Sequence, residues 1–189
     1  MDRTTRQAAV IATAVALPLA LIVALLAFWQ LSPDEPDTAS PSPSATPAPA
    51  ATTPVTMAAP PLTPRAETLC RALLSKVPAE LRDRAQRPVT AGPEQNAAYG
   101  DPAITLACGI PAPEIPPTDL VNLFDRVCWH SAETAEATVL TTVDREVTVQ
   151  VTVPRAYEGP AQWTIPFSKP VIETIPRLAE APTGCAGSV

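Results

Sequence analysis

His130 is the only histidine in the 189-residue chain. It is the first residue to examine for acid–base chemistry, because imidazole takes up and releases a proton near neutral pH. A catalytic base also needs a nucleophile and a third group that orients it, and no serine nucleophile elbow accompanies His130. Motifs typical of dinucleotide, phosphate, zinc and calcium sites are absent from the sequence. The sequence therefore predicts no catalytic residue, no metal site and no cofactor.

Four cysteines are the other chemically distinctive residues: Cys70, Cys108, Cys128 and Cys185. They include no C-x-x-C pair, and with a single histidine they make a poor set of metal ligands. An even number of cysteines outside the cytosol predicts two disulfides, for which three pairings exist. We favour Cys70–Cys108, which would join a helix predicted at residues 65–76 to the end of a strand predicted at residues 103–108. Cys128–Cys185 would then hold the C-terminal tail. Loop-closure entropy is too similar among the pairings to decide.

The turn Tyr99-Gly100-Asp101-Pro102 is the stretch that most resembles a binding site. Glycine tolerates a positive φ, and the residue before proline is extended, so a rigid turn enters the next strand. In a binding site, Tyr99 would stack on a ligand and Asp101 would offer a polar group. The alternative is that Asp101 only caps the turn.

Trp129 and Arg145 complete the candidate binding residues. Trp129 could line a groove for a sugar or a peptide, although a domain with few aromatic residues usually places them in its core. Arg145, at the tip of a predicted hairpin, could bind a carboxylate with two parallel hydrogen bonds, as a peptide-binding module requires. The alternative for Arg145 is a solvated charge at a turn.

Hydrophobic periodicity predicts the elements that position these residues. Residues 65–76 have apolar side chains at helical spacing, with the Thr63-Pro64 pair at the start of the helix. Residues 137–143 and 146–153 flank Asp144-Arg145 and predict a hairpin, since valines alternate with polar residues in the second arm. The predicted fold class is α+β, one small disulfide-stapled domain with a short antiparallel sheet and two or three helices.

An uncharged apolar run, Ala8–Trp29, precedes this domain. As a helix rising ~1.5 Å per residue it would be ~33 Å long, enough to cross a hydrocarbon core of ~30 Å. Basic residues before the run and acidic residues after it favour a cytoplasmic N-terminus. We therefore predict a cytoplasmic tip at residues 1–7, a transmembrane signal-anchor helix at residues 8–31 and a domain on the outer side of a cell membrane. The alternative is a cleaved signal peptide and secretion.

Residues 32–64 are rich in proline, serine, threonine and alanine and are predicted to be a disordered stalk, because proline interrupts helices and sheet ladders. Residues 65–189 then form the extracytoplasmic domain, which has a normal size for one core. After the tip, 18 acidic residues outnumber 11 basic residues, for a net charge of −7. This charge argues against a nucleic-acid partner.

The combination of these residues resembles a family from actinobacterial genomes, Domain of Unknown Function 3515. The resemblance covers nearly all of residues 65–178 and lies in short motifs in a fixed order. The motifs are Cys70-x-x-Leu73 leading to Val77-Pro78 and Leu81, Ala98-Tyr99-Gly100-Asp101-Pro102, Leu106-x-Cys108-Gly109, Val127-x-Trp129, and the run of alternating valines from Arg145 to Pro154. The family pattern usually has tryptophan where this chain has Tyr99. Cys128 and Cys185 resemble an addition found in part of the family, which supports their pairing with each other.

The resemblance implies a membrane-anchored or secreted protein of unknown activity. The first functional hypothesis is a non-catalytic interaction or binding module that faces the cell envelope on a stalk. Its partner would be an envelope protein or a cell-wall component, with residues 8–31 in the membrane. The alternatives are an envelope enzyme that uses Asp101, His130 or Arg145, and a structural subunit of a membrane complex.

Overall fold

The computed structural model describes residues 21–26, 52–116, 119, 121–180 and 184–185. The chain divides into two compact units, residues 1–48 and residues 49–189. In the first unit, residues 21–26 are helical. The predicted tip at residues 1–7, the rest of the predicted helix at 8–31 and the stalk as far as residue 51 lie outside the described residues.

The second unit is built on one eight-stranded antiparallel sheet with the strand order β1-β2-β3-β4-β8-β7-β6-β5. The strands are β1 (Glu80–Leu81), β2 (Arg84–Arg87), β3 (Asn96–Tyr99), β4 (Ile104–Cys108), β5 (Val121–Phe124), β6 (Val127–Glu133), β7 (Ala137–Thr142) and β8 (Val149–Pro154). The helices are α1 (Pro64–Leu74), a 3-10 helix (Pro160–Trp163) and α2 (Ile165–Thr174).

One face of this sheet carries the hydrophobic core. Leu106, Val151 and Leu140 lie side by side across β4, β8 and β7, and all three are buried. Leu73 of α1 and Phe167 of α2 belong to the same buried cluster. The helices therefore cover one face of the sheet, and the alternation of residues along each strand sends the other side chains to the opposite face.

Two local predictions are confirmed. The helix predicted at residues 65–76 is α1, and the Thr63 hydroxyl accepts a hydrogen bond from the backbone N–H of Ala66 as the N-cap. The two arms of the predicted hairpin pair as β7 and β8. Their connection is longer than predicted, however, because β7 ends at Thr142 and β8 begins at Val149, which leaves Asp144 and Arg145 inside a six-residue connection.

The predicted fold class is wrong. The sheet has eight strands rather than a few, and the two α-helices and the 3-10 helix are a minor part of the unit. The missed strands lack the alternation that predicts strands: β2 (RAQR) is almost entirely polar, and every residue of β3 (NAAY) is buried. The transmembrane helix included in that prediction is not found either, since no helix among the described residues is long and apolar enough to cross a membrane.

Both predicted disulfides are present. Cys70–Cys108 joins α1 to the end of β4, with 5.6 Å between the two Cα atoms. Cys128–Cys185 joins β6 to the C-terminal tail, with a Cα–Cα distance of 5.7 Å. Both distances lie in the usual range for disulfides. The second disulfide therefore fixes Cys185, which is buried, against the sheet.

Residues 52–63, which were predicted to be stalk, lie along the domain; we call them the strap. Val55 makes two backbone hydrogen bonds, to the carbonyl of Pro88 and from the N–H of Thr90. Leu62, at the other end of the strap, packs against the hydrophobic core. Polar side chains of the domain supply hydrogen bonds that a proline-rich segment cannot make within itself, and the strap is ordered for this reason.

Candidate functional site

Tyr99 and Trp129, two predicted binding residues, lie in the hydrophobic core and are fully buried. The Tyr99 hydroxyl donates a hydrogen bond of 2.9 Å to the carbonyl of Pro78, and its ring packs against Phe167 with 5.7 Å between centroids. Burial raises the pKa of the Tyr99 hydroxyl well above its ordinary value. This placement favours the structural interpretation of both rings.

Asp101 lies on the surface after β3, where its carboxylate is largely exposed and 3.4 Å from the guanidinium of Arg87. Gly100, just before it, has φ +68°, and a Cβ atom there would lie 2.9 Å from the Cδ atom of Arg84. The bond between Asp101 and Pro102 is cis, and the Pro102 carbonyl accepts a hydrogen bond from the Tyr157 hydroxyl. Asp101 therefore borders a surface built from the β1–β2 hairpin and the segment that follows β8.

Two arginines of that hairpin, Arg82 and Arg84, lie over aromatic rings. Together with the two rings, which belong to Trp163 and Tyr157, they form what we call the arginine–aromatic surface. The Cζ atom of Arg82 lies 4.8 Å from the centre of the Trp163 ring, and that of Arg84 lies 5.7 Å from the Tyr157 ring. The two rings meet edge to face at 5.0 Å. Arg82 also donates to the Gln162 amide oxygen, and Arg84 has Asp83 at 3.5 Å. Each guanidinium on this surface therefore has its own partners.

Arg145, the fourth predicted binding residue, is buried rather than solvated at a turn. Its Nε atom lies 3.3 Å from the Oδ1 atom of Asp144, whose side chain is fully buried. This contact is an ion pair but not a well-aligned hydrogen bond, and neither oxygen of Asp144 accepts a hydrogen bond within the described chain. Arg145 also donates a hydrogen bond of 2.7 Å from Nη2 to the carbonyl of Arg126.

Two further arginines, Arg126 and Arg177, lie close to this buried pair. Arg145 and Arg177 form an isolated antiparallel bridge, flanked by hydrogen bonds from Glu146 N–H to Pro176 O and from Leu178 N–H to Asp144 O. This pattern makes them a non-hydrogen-bonded pair, the closest cross-strand arrangement, with a typical Cα separation of ~4.5 Å. Like charges directly opposite each other destabilise a sheet.

We call Arg126, Arg145 and Arg177, together with Asp144, the arginine cluster. Burial lowers the pKa of the Arg145 guanidinium, Asp144 opposes that shift, and the charges of Arg177 and Arg126 add to it. Three positive charges thus lie close together, and one of them, that of Arg145, pairs with the buried Asp144 carboxylate. Arg177 donates to the Cys185 carbonyl, and Arg126 has no hydrogen bond or salt bridge from its guanidinium among the described residues.

The turn that carries Arg126 has an unfavourable backbone conformation. Asp125 and Arg126 connect β5 to β6 and have φ values of +46° and +64°. A two-residue hairpin turn with both φ angles positive normally contains asparagine, aspartate or glycine, because other side chains crowd the backbone there. Arg82, at the β1–β2 hairpin, has a similar conformation with φ +57°, so the positive φ alone does not distinguish Arg126.

His130 lies on the sheet face opposite the hydrophobic core, next to Cys128 in the alternation of β6. Its Nε2 atom is 2.9 Å from the Oδ2 atom of Asp119, and the ring is almost completely buried. Thr141 of β7 lies directly beside it in the register. Asp119 therefore holds His130 in place, and little of the ring remains accessible to a substrate.

The three residues named in the enzyme hypothesis have separate surroundings. β3, which leads to Asp101, and β6, which carries His130, are four strand spacings apart in the sheet order. At ~4.8 Å per spacing this separation is ~19 Å. Arg145 lies beside Asp144 and Arg126 instead. These groups do not meet in one cleft, and no group of three or more potential metal ligands occurs in the part of the chain that the structure describes.

Arg126 and Arg177 are the residues of the arginine cluster that were not predicted from the sequence. Arg126, Arg145 and Arg177 are distant from one another along the chain and are brought together only by strand register and by the bridge to residue 177. One local signal was available. The Asp125-Arg126 pair lies between two short apolar stretches, where a two-residue hairpin turn fits.

Comparisons with curated proteins and with solved structures give no match. A family model matches residues 15–179, which is most of the chain and includes every residue of the arginine cluster. The chain belongs to the family described as Protein of unknown function (DUF3515).

Proposed function

We propose that this chain is a non-catalytic binding module that acts outside the cytoplasm and recognises an anionic group, a carboxylate or a phosphate, on a component of the cell envelope. The contact surface would be the arginine cluster. The observation that carries the proposal is that Arg145, already paired with the buried Asp144, has the positive charges of Arg126 and Arg177 close to it as well.

The first argument for the proposal is electrostatic. Arg145 and Arg177 face each other in the closest cross-strand arrangement, and Arg126 adds a third charge. Such an arrangement is unfavourable by itself, and a bound anion would relieve the repulsion. The guanidinium group presents a planar set of donors that matches carboxylate and phosphate oxygens, so arginine is the residue typical of such sites.

The second argument concerns the roles of the three arginines. Arg126 and Arg177 are exposed, so both can contact a ligand directly. Arg145 is buried and donates to the Arg126 carbonyl, so it would be a positioning residue that holds the β5–β6 turn. In this proposal, Arg126 and Arg177 contact the ligand carboxylate, instead of Arg145 as the sequence predicted.

The third argument concerns local acidic groups that would compete with a ligand. Asp144 is buried, and the carboxylate of Glu146 is held by Arg65 through hydrogen bonds of 2.9 and 3.0 Å. Asp125 is the remaining acidic residue next to Arg126 in the chain, and it is exposed. Although the domain is acidic overall, positive charge therefore exceeds negative charge at the arginine cluster.

Location outside the cytoplasm is supported by the two disulfides and by the pairing of all four cysteines. Disulfides persist in oxidising compartments and are rare in the cytosol. The sequence resemblance to an actinobacterial family of membrane-anchored or secreted proteins is consistent with a partner in the cell envelope.

The test is a binding assay of the full chain against purified peptidoglycan, with inorganic phosphate and acetate as small competitors. We expect binding that weakens with salt and falls about tenfold in Arg126→Gln and in Arg177→Gln, the loss for one charge-assisted hydrogen bond. Arg71→Gln is the matched control, because Arg71 is an exposed arginine of α1 whose guanidinium pairs with Glu67 one helical turn away. Equal binding by all three variants and the wild type would refute the assignment of the site.

A further inference from the structure

The strap is held on the domain by residues 87–96. Six hydrogen bonds join residues 53–60 of the strap to residues 87–96 of the domain. They are Arg87 Nη2 to Thr53 O (2.7 Å), Val55 N to Pro88 O (2.8 Å), Thr90 N to Val55 O (3.0 Å), Met57 N to Thr90 Oγ1 (3.1 Å), Asn96 Nδ2 to Ala58 O (2.9 Å) and Gln95 Nε2 to Pro60 O (3.3 Å). All six use the backbone of the strap.

The domain residues beneath the strap offer the hydrogen-bond donors that a proline-rich segment needs. Proline has no N–H, so such a segment offers mainly carbonyl acceptors. The domain supplies donors to four strap carbonyls, and three of these donors are side chains: Arg87, Gln95 and Asn96. Two of these side chains also bond to the domain itself: Arg87 donates to the Gly100 carbonyl at 2.8 Å and Asn96 to the Ala91 carbonyl at 3.0 Å, and these bonds position them independently of the strap.

Shape adds to the match. Val55 and Met57 are half-buried while their neighbours in the strap are exposed, the alternation expected for an extended ligand lying on a surface. Gly92 has φ +57°, and a Cβ atom there would lie 2.8 Å from the Cβ atom of Ala59. Glycine therefore permits the close approach of the two backbones.

From these contacts we infer that residues 87–96 form a peptide-binding groove for extended proline-rich segments, filled here by residues 53–60 of the same chain and open to the same segment of a second copy. Recognition of the strap backbone does not require covalent continuity with the domain. A segment identical in sequence offers the same carbonyls, N–H groups and alternating side chains. Exchange of an identical element between copies is a known route to association.

The experiment uses the full chain with Val55→Pro and Met57→Pro, which removes both strap N–H donors. The control is Thr56→Pro, which adds proline between them without removing a hydrogen bond present in the structure. Hydrogen exchange at the Thr90 amide, which donates to Val55 O, reports release of the strap. The probe is a labelled synthetic peptide of residues 52–62, read by fluorescence anisotropy.

We expect the double variant to lose protection at Thr90 and to bind the peptide at least tenfold more tightly than the wild type or Thr56→Pro. In the latter two chains, the attached strap competes at a high effective concentration. A peptide carrying the same two prolines should not bind. The inference is overturned if Thr90 stays protected in the double variant, if the released chain ignores the peptide, or if it binds both peptides equally.

Discussion

Two groups of arginines lie near opposite edges of the sheet, and they are built in contrasting ways. The arginine–aromatic surface belongs to the β1–β2 hairpin, and the arginine cluster includes the β5–β6 turn. In the first, each guanidinium lies over its own ring and has a polar neighbour. In the second, only Arg145 pairs with the buried Asp144, and the charges of Arg126 and Arg177 repel that of Arg145.

The arginines of the first group make contacts that stabilise the fold, whereas those of the second group repel one another. A cation stacked on an aromatic ring contributes favourably, by roughly 0.5–1 kcal/mol when exposed. Like charges placed opposite each other cost stability. A positive φ does not separate the two groups, since Arg82 (φ +57°) and Arg126 (φ +64°) both have one at a hairpin turn. The contacts of the first surface therefore favour the folded state, whereas the like charges of the second oppose it.

The largest expected effect comes from Arg145→Met. This change would leave the fully buried Asp144 without its ion-pair partner, and breaking one side of a buried pair typically costs about 3–5 kcal/mol. Urea unfolding measures the loss. The control is Arg71→Met on α1, whose surface pair should be worth less than about 1 kcal/mol. Equal losses for the two variants would show that Asp144 and Arg145 are not coupled.

The next effect concerns the disulfide beside the arginine cluster. Replacing Cys128 and Cys185 together by alanine should lower the free energy of unfolding by about 2–4 kcal/mol, because the unfolded chain loses a constraint across 57 residues. Anion binding should fall as well, since the Cys185 carbonyl accepts a hydrogen bond from Arg177. Urea unfolding and phosphate titration measure the two losses. If the variant lost stability but kept its full affinity for the anion, Arg177 would not be part of the binding site.

A smaller pair of effects compares the two arginine groups directly. Arg82→Gln should destabilise the domain by about 0.5–1 kcal/mol through loss of the stacking on Trp163, and should leave anion binding unchanged. Arg126→Gln should change stability by less than about 0.5 kcal/mol and should weaken anion binding. Thermal unfolding measures the stability of both variants, and phosphate titration measures their affinity for an anion. A reversed outcome would exchange the roles of the two surfaces.

The local elements were predictable because their signals are local. The periodicity of α1, the alternating valines of β8 and the even number of cysteines each depend on a few neighbouring residues or on composition. β3 was missed because buried strands lack alternation, and the strap was missed because its order comes from Arg87, Gln95 and Asn96, distant in sequence. Of the arginine cluster, the sequence predicted only Arg145 as a binding residue, since strand register and the bridge to Arg177 bring the other arginines to it.

The smallest effect tests why the arginine cluster keeps its excess of positive charge. Glu146 follows Arg145 directly, but its carboxylate is bound by Arg65. The hydrogen bond from Arg65 lowers the pKa of the Glu146 carboxyl. A lowered carboxyl pKa stabilises the folded state above the pKa of the unfolded chain, and this contribution disappears as the pH falls through the lower folded value.

Arg65→Gln should therefore raise the pKa of Glu146 toward its ordinary value, which NMR titration of the side-chain carboxyl carbon measures. Because the pair is exposed, its loss should hardly change the free energy of unfolding. The freed carboxylate would then compete with an anion for Arg177 or Arg126, and we expect a two- to threefold weaker affinity for phosphate, a free-energy change of roughly 0.5 kcal/mol. Glu146→Gln in the same background should restore the affinity. If the Glu146 pKa rose in Arg65→Gln but phosphate binding did not change, the hypothesis that a freed Glu146 carboxylate competes with the anion would be wrong.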